Sequence, residues 1–290
     1  MMLEVEESKR KASILVEALP YVRRFRGSVF VVKYGGSFMD SPDSAVRTGV
    51  ARDLVFLNFV GIKVVVVHGG GKAVTRSLAE KGIEATFVDG LRVTDQETIQ
   101  VVDEVLNGQV NEEVASFVSS HECGVKRIPG KEVLACHKLI NDPDLGFVGE
   151  INSVRTESIQ EALDNGLMPI LSSTASDENG QCYNVNADTA AAKVAIALKA
   201  RRLVYLSDVP GLLRNPEDPA SLLSSLPVHQ VDPLKEAGVI AKGMLPKVNS
   251  AVEALSSGVN RVHFIDGRLP HSILLEIFTD EGIGTEIVHN

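Results

Sequence analysis

Two lysines and two glycine-rich turns are the residues from which a chemistry can be read in this sequence. Lys33 closes the apolar run Val29-Phe30-Val31-Val32, and Tyr34-Gly35-Gly36-Ser37 follows it directly. A second apolar run at 63–67 leads into His68-Gly69-Gly70-Gly71. Glycine has no Cβ, so its backbone approaches a ligand closely and successive N–H groups can converge on one anion. Both turns lead into helical stretches, whose N-termini add positive potential. An ammonium group beside such turns suits a site that handles phosphate. The alternative for each turn taken singly is a tight turn that binds nothing, and for Lys33 a side chain that surfaces at a strand end.

Lys247 is the second cation, in Gly243-Met244-Leu245-Pro246-Lys247. Pro246 suits the first turn of a helix that continues through Val248, Val252 and Leu255. A lysine there opposes the helix dipole at a cost of ~0.3–1 kcal/mol. That cost is offset if both positive ends face a phosphate; a lysine in open solvent is the other reading. Asp188 lies in Asn184-Val185-Asn186-Ala187-Asp188, just ahead of an alanine-rich helix expected over 189–200. It complements that helix dipole and could serve as a helix-starting residue alone. Arg92, in Gly90-Leu91-Arg92-Val93-Thr94, sits between apolar neighbours on a short strand-like piece. A guanidinium there could grip a carboxylate through two parallel hydrogen bonds, or form a structural ion pair.

The better-known nucleotide motifs do not fit. Gly71-Lys72 is followed by Ala73, not by the Ser or Thr of a P-loop. Neither turn has the G-x-G-x-x-G spacing of a dinucleotide fold, and no H-R-D or D-F-G set of a protein kinase is present.

The elements that must position these residues follow from the apolar pattern. An amphipathic helix over 5–19 carries Ala12, Leu15, Val16 and Leu19 at helical spacing and is expected to stop at Pro20. The continuous apolar runs at 29–32 and 63–67 read as strands buried on both faces. Amphipathic stretches at 43–60 and 73–81 follow them. Thr94-Asp95-Gln96-Glu97 reads as the capped start of a long helix towards Glu122. Gly130 suggests a hairpin, and further strands are expected at 146–154, 167–172, 203–207 and 260–265. Strands alternating with helical stretches predict an α/β fold, with a mainly parallel central sheet between two helical layers. The turn signal Asp177-Glu178-Asn179-Gly180 is the nearest thing to a boundary between lobes.

With 290 residues, 44% hydrophobic and 23% charged, the chain has the balance of a globular protein with a sizeable core. No apolar run approaches the roughly 20 residues of a bilayer span. The acidic start, Met-Met-Leu-Glu-Val-Glu-Glu, resembles neither a secretory signal nor a transit peptide, so a cytoplasmic location is expected. A net charge of −9 without a basic tract argues against nucleic acid and anionic membrane as partners. The three widely spaced cysteines, Cys123, Cys136 and Cys182, form no metal or disulfide pattern and read as free thiols.

Taken together, Val32-Lys33-Tyr34-Gly35-Gly36, His68-Gly69-Gly70-Gly71, Gly90-Leu91-Arg92-Val93-Thr94-Asp95, Asn184-Val185-Asn186-Ala187-Asp188 and Gly243-Met244-Leu245-Pro246-Lys247-Val248 resemble the acetylglutamate kinases of the amino-acid kinase superfamily. The resemblance runs in order from about residue 19 to 288. It implies the three-layer αβα amino-acid kinase fold and transfer of the γ-phosphoryl group of ATP to the γ-carboxylate of N-acetyl-L-glutamate. It assigns catalysis to Lys33, Lys247 and Asp188, with the lysines on the transferring phosphoryl and the aspartate organising them. Gly69, Gly70, Gly71, Arg92 and Asn184 would bind the acceptor; Gly35, Gly36, Ser207, Asp208, Gly211 and Leu212 would line the nucleotide. No metal site made of protein side chains is implied, so Mg²⁺ arrives on the nucleotide.

The same resemblance divides the chain into an N-terminal oligomerisation helix (1–26), an acceptor-binding and dimerisation lobe (27–180) and a nucleotide-binding lobe (181–290). Arginine-inhibited members have a comparable N-terminal helix, which implies a hexamer built as a trimer of dimers and feedback inhibition by L-arginine. Tyr21, Arg202, His263 and Glu276 are the matching arginine-site positions, with Arg202 where lysine is usual; some relatives also bind a PII-type signalling protein. One segment departs from the family pattern Gly-x-x-Gly-x-Asp: Arg127-Ile128-Pro129-Gly130-Lys131-Glu132 keeps only the second glycine and has Glu for Asp. The competing readings are a superfamily kinase for glutamate, aspartate, carbamate or UMP, and a catalytically dead protein that only binds arginine or a partner.

Overall fold

The computed structural model describes residues 2–35, 39, 44–240 and 243–289; the predicted site residue Gly36 lies outside the described residues. A 24-residue helix, α1 (Met2–Phe25), precedes the first strand. Strands β1 (Val29–Tyr34) and β2 (Lys63–His68) then pair in parallel, with Lys33 beside Val67 and Tyr34 beside His68. Alternate residues face opposite sides. Val31, Val65 and Val67 enter one apolar cluster, whereas Phe30, Val32, Val64 and Val66 enter the other. Burial on both faces explains why these runs are apolar throughout instead of alternating with polar residues.

Helices α2 (Ser44–Phe59) and α3 (Gly71–Glu80) follow β1 and β2. The two-residue strands β3 (Phe87–Val88) and β4 (Leu91–Arg92) form a hairpin, and α4 (Gln96–Glu104) starts where Asp95 Oδ1 accepts from Thr98 N at 2.8 Å. The predicted long helix is present but interrupted: a π-helical turn, Val105–Val110, joins α4 to α5 (Asn111–Ser119). Next come β5 (Val125–Ile128), the single turn α6 (Gly130–Val133), the antiparallel pair β6 (Leu134–Lys138) and β7 (Gly149–Val154), and α7 (Glu157–Asp164). The chain continues through β8 (Met168–Ser172), β9 (Thr174–Ser176), β10 (Cys182–Asn184), α8 (Ala187–Ala197) and β11 (Arg202–Ser207). It closes with β12 (Ser225–Pro227), α9 (Val231–Glu236), α10 (Met244–Ser256), β13 (Arg261–Asp266), α11 (Ser272–Ile277) and β14 (Thr285–Val288).

Eight strands form one sheet in the order β12-β14-β13-β11-β1-β2-β8-β5, parallel except between β13 and β14. Residues of α8 and α10 cover one face; those of α2, α3, α4, α5 and α11 cover the other. This is the three-layer α/β arrangement that the alternation of strands and helices predicts.

Two local expectations are corrected. Helix α1 does not stop at Pro20 but runs through it to Phe25. Proline there costs one helical hydrogen bond, and the turn beyond it is anchored by Phe25, which is buried and meets the Phe30 ring edge-on at 5.3 Å. Gly130 does not make a hairpin but opens α6. Its N–H donates to Ser172 Oγ at 2.7 Å and Lys131 N–H donates to Thr174 Oγ1, which ties the segment to β8 and β9. The three cysteines are free thiols, Cys123 and Cys136 buried and Cys182 half-buried. Among the described residues no helix is long and apolar enough to cross a membrane.

Candidate active site

Parallel strands bring Gly35, directly after β1, beside the Gly69–Gly71 turn after β2, at the carboxyl ends where α/β folds bind ligands. Lys33 is the fifth residue of β1 and is only 8% exposed. Its side chain folds back over the turn, and a Cβ on Gly35 would lie 2.5 Å from its Nζ. Lysine and glycine are therefore a matched pair: any larger residue at 35 displaces the ammonium group.

Asp188 reaches the same point from the start of α8. Asn186 caps that helix, its Oδ1 accepting from Asp188 N at 2.8 Å and Thr189 N at 3.1 Å. Beneath it, the buried Tyr205 hydroxyl donates to Asp188 O at 3.1 Å. Lys247, on the first turn of α10, comes from the third direction. Asp188 Oδ1 lies 3.0 Å from Lys33 Nζ and Oδ2 lies 2.5 Å from Lys247 Nζ. Burial on its own would push the Asp188 carboxyl up; the charges of Lys33 and Lys247 outweigh it and hold the group below the usual carboxylate range. Burial and the neighbouring Lys33 charge push Lys247 down, against Asp188 and Asp208. Two cations share one anion, so the cluster carries a net positive charge in a nearly closed site. A further anion is what completes it.

Beside this cluster a pocket of about 160 Å³ is lined by Gly69, Gly70, Gly71, Arg92, Asn184 and Asn186, among others. Arg92 is 7% exposed and its Nη2 donates to Gly71 O at 2.8 Å and Thr75 Oγ1 at 2.9 Å. Its guanidinium lies 4.6 Å over the Phe87 ring, and burial lowers its pKa. Nη1 is buried without a partner, and among the described residues Arg92 has no carboxylate within ion-pair distance. A structural ion pair is thus not what holds it. Asn184 Nδ2 donates to Thr94 Oγ1 at 3.3 Å, at the same wall. The adjoining cleft, about 800 Å³, runs past Asp188 to Gly243, Leu245 and Pro246.

Of the predicted nucleotide residues, Ser207 ends β11 and its Oγ donates to Val209 O. Asp208 follows it and acts electrostatically on Lys247. Gly211 packs against Thr285, whose Oγ1 accepts from Leu212 N at 2.8 Å. The Leu212 side chain belongs to the core, so only its backbone is available to a ligand.

Tyr21, Arg202, His263 and Glu276 also meet, far from the lysines in sequence, around a separate cavity of about 680 Å³. His263 Nδ1 and Glu276 Oε1 are 2.7 Å apart, and Glu276 Oε2 accepts from the N–H groups of Ile283 and Gly284 at 2.8 and 2.9 Å. Burial raises the Glu276 pKa, but His263 and these N–H groups outweigh it and leave it lowered. Burial, then the charges of Arg261, Arg201 and Arg24, lower Arg202 to about 9. Tyr21 Oη donates to Asp280 Oδ1, which joins α1 to the cavity wall.

Sequence reasoning gave no role to Asn186, Tyr205 or Phe87. Asn186 had a signal, an asparagine immediately ahead of a helix. Phe87 had one as well: Asp89-Gly90, both at positive φ, is a two-residue hairpin turn that sets Phe87 opposite Arg92. Tyr205, one more residue in an apolar strand, had none.

The Amino acid kinase family model matches residues 28–266. The chain is 45% identical to an acetylglutamate kinase of Syntrophomonas wolfei over 287 residues, 98% of this chain and 99% of the relative. The structure is also similar to the N-acetylglutamate synthase of Neisseria gonorrhoeae complexed with coenzyme A and N-acetyl-glutamate, with TM-score 0.84 and 28% identity over 96% of this chain. The same synthase complexed with coenzyme A and L-arginine matches with TM-score 0.81 and 28% identity, again over 96% of this chain. The chain spans 63% and 65% of the length of those two synthase chains.

Proposed function

Because this chain belongs to the amino acid kinase family and, within it, to the acetylglutamate kinases, we propose that it phosphorylates the γ-carboxylate of N-acetyl-L-glutamate at the Lys33–Asp188–Lys247 cluster. The observation that carries this reading is the meeting of two ammonium groups on one buried carboxylate, near the Gly69–Gly71 turn and a guanidinium whose Nη1 has no partner. A γ-carboxylate with a pKa of about 4.3 is already ionised at neutral pH, so no general base is required. The difficulty is bringing two anions together, which positioning and electrostatics solve.

In the proposed reaction a carboxylate oxygen attacks the γ-phosphorus of ATP. The bond from phosphorus to the β–γ bridging oxygen breaks, and ADP leaves with that electron pair. Lys33 and Lys247 face the charge on the transferring oxygens, and Asp188 fixes the separation between them. Arg92 Nη1 and Asn184 take the far end of the acceptor, while the Gly70 and Gly71 backbone N–H groups take the reacting end; Gly69 N–H already donates to Tyr34 O at 3.1 Å and lines the site through its backbone. Gly35, Ser207, Asp208, Gly211 and the Leu212 backbone border the nucleotide. Mg²⁺, when bound, neutralises phosphate oxygens. Asp188 is already committed to two lysines, so the metal is read as part of the nucleotide.

Regulation is part of the proposal. The second cavity is lined by Arg24, Arg202 and Arg261 together with Glu276, Asp280 and Glu281, a mixture of charges that suits an amino acid with a cationic side chain such as L-arginine. Leu15 and Val16 on α1 are 69% and 68% exposed, an apolar stripe that suits pairing between dimers in a cytoplasmic hexamer. ADP release measured with N-acetyl-L-glutamate, glutamate, aspartate, carbamate and UMP tests the substrate, and repetition with millimolar L-arginine tests the regulation. Turnover with N-acetyl-L-glutamate, suppressed by arginine, is expected. Preference for another acceptor overturns the substrate; a dimer indifferent to arginine overturns the regulatory part.

A further inference from the structure

His68 is a titratable group the reaction does not use. It is wholly buried at the end of β2, directly before the glycine turn. Its partners form a chain with one direction. Arg127 can only donate, so the Asn111 atom 3.0 Å from its Nε is the carboxamide oxygen. The amide nitrogen of Asn111 then lies 2.9 Å from Ile170 O and 3.0 Å from His68 Nε2 and donates to both. An Nε2 that accepts carries no proton, so the proton sits on Nδ1, which donates to Gly69 O at 2.8 Å. Burial, reinforced by the Arg127 charge, lowers the imidazole pKa to about 4, and the ring stays neutral with a single proton to place.

The Gly69–Gly70 peptide is trans, since the one cis peptide among the described residues is Asp142-Pro143. A trans peptide points its carbonyl and the following N–H to opposite sides. Holding Gly69 O on His68 therefore turns Gly70 N–H away from the core, towards the pocket that the three glycines line. Arg92 Nη2 pins Gly71 O in the same manner. Arg127 also donates to Asn107 O and Gly108 O of the π-helical turn at 3.2 Å.

We infer that Arg127, Asn111 and His68 are positioning residues, a buried relay whose proton order aims the Gly70 N–H at the charged oxygens of the phosphoryl group as it passes to the reacting carboxylate. The inference rests on the kinase reading, and its test separates the two. Nitrogen-15 NMR of the His68 ring reads the tautomer directly, and steady-state kinetics read its consequence. The wild-type ring is expected as the Nδ1–H tautomer. Asn111→Asp, which replaces a donor by a carboxylate acceptor, puts a proton on Nε2, as the Nε2–H tautomer or the imidazolium, and lowers kcat by about tenfold or more, because a disturbed donor loses part of the effect of a transition-state contact. Both KM values stay within about threefold, as for an interaction made in the transition state. Arg127 is 40% exposed at its side chain, so Arg127→Met tests the relay even if the Asn111 variant does not fold. It should loosen Asn111 and lower kcat, and Arg127→Lys should restore kcat, while Ile170 O and Gly69 O, which can only accept, keep the ring mainly Nδ1–H. A wild-type Nε2–H ring, or an Arg127→Met enzyme with full kcat, overturns the relay. A wild-type enzyme inert towards N-acetyl-L-glutamate overturns the kinase reading instead, and leaves the ring spectrum to report on the relay.

Discussion

At the scale of residues, Asp188 is the point on which the site turns. It is 7% exposed and its two oxygens each lie within ion-pair distance of an ammonium group. Asp188→Asn therefore leaves two neighbouring cations without their shared counter-charge. The expected cost is about 3–5 kcal/mol of stability, the range for breaking a buried ion pair from one side, with kcat falling by roughly 10²–10³. Urea unfolding and steady-state kinetics check the two. The pH dependence follows from the lowered Asp188 pKa. A carboxylate depressed on folding contributes stability above its unfolded pKa, about 3.9, and loses that contribution as pH falls through its folded value. The stability gap between wild type and Asp188→Asn should thus be constant from pH 6 to 8 on the scale of ~0.5 kcal/mol and shrink only below about 3.9. A gap that closes already near neutrality contradicts the pairing.

At the scale of elements, α8 aims Asp188 and Asn186 aims α8. Asn186→Ala removes an acceptor from two helix N–H groups. It should destabilise the protein by about 1 kcal/mol, the usual value of such a cap, and lower kcat by more than that small loss of stability implies. Asn186→Asp, which can still accept, should recover most of the stability; thermal melts and kinetics on the two variants decide it. What could be read in the sequence divides along the same line. The apolar runs of β1 and β2, the cap at Asp95 and the helix after Pro246 were legible, because burial on two faces and orphan helix N–H groups leave local signals. Asp188, Arg92 and Lys247 each had two readings, because an ion pair, a helix-starting residue and a ligand-binding group look alike until the third dimension is known. The continuation of α1 beyond Pro20 and the role of Gly130 were misread. In both, the deciding contacts come from distant residues, Arg201, whose Nη1 donates to Arg24 O, in one and Ser172 and Thr174 in the other. Tyr205 was invisible for the same reason.

At the scale of the whole molecule, the sheet order accounts for a site built from distant parts of the chain. Strand β1 lies between β11 and β2, so its carboxyl end, with Lys33, has Ser207 at the end of β11 on one side and the Gly69–Gly71 turn after β2 on the other. Helices α8 and α10 pack together on the same face and bring Asp188 to Lys247. Loss of either lysine should then damage one shared function. Steady-state kinetics of Lys33→Met, Lys247→Met and the double variant test this most directly. Each single variant is expected to lose roughly 10²–10³ in kcat with the acceptor KM changed by less than about threefold, and the double variant should lose little more than either, as residues acting as a unit do. A single variant that keeps kcat within about threefold of wild type, or losses that multiply in the double variant, would mean that the two amines do not serve one phosphoryl group.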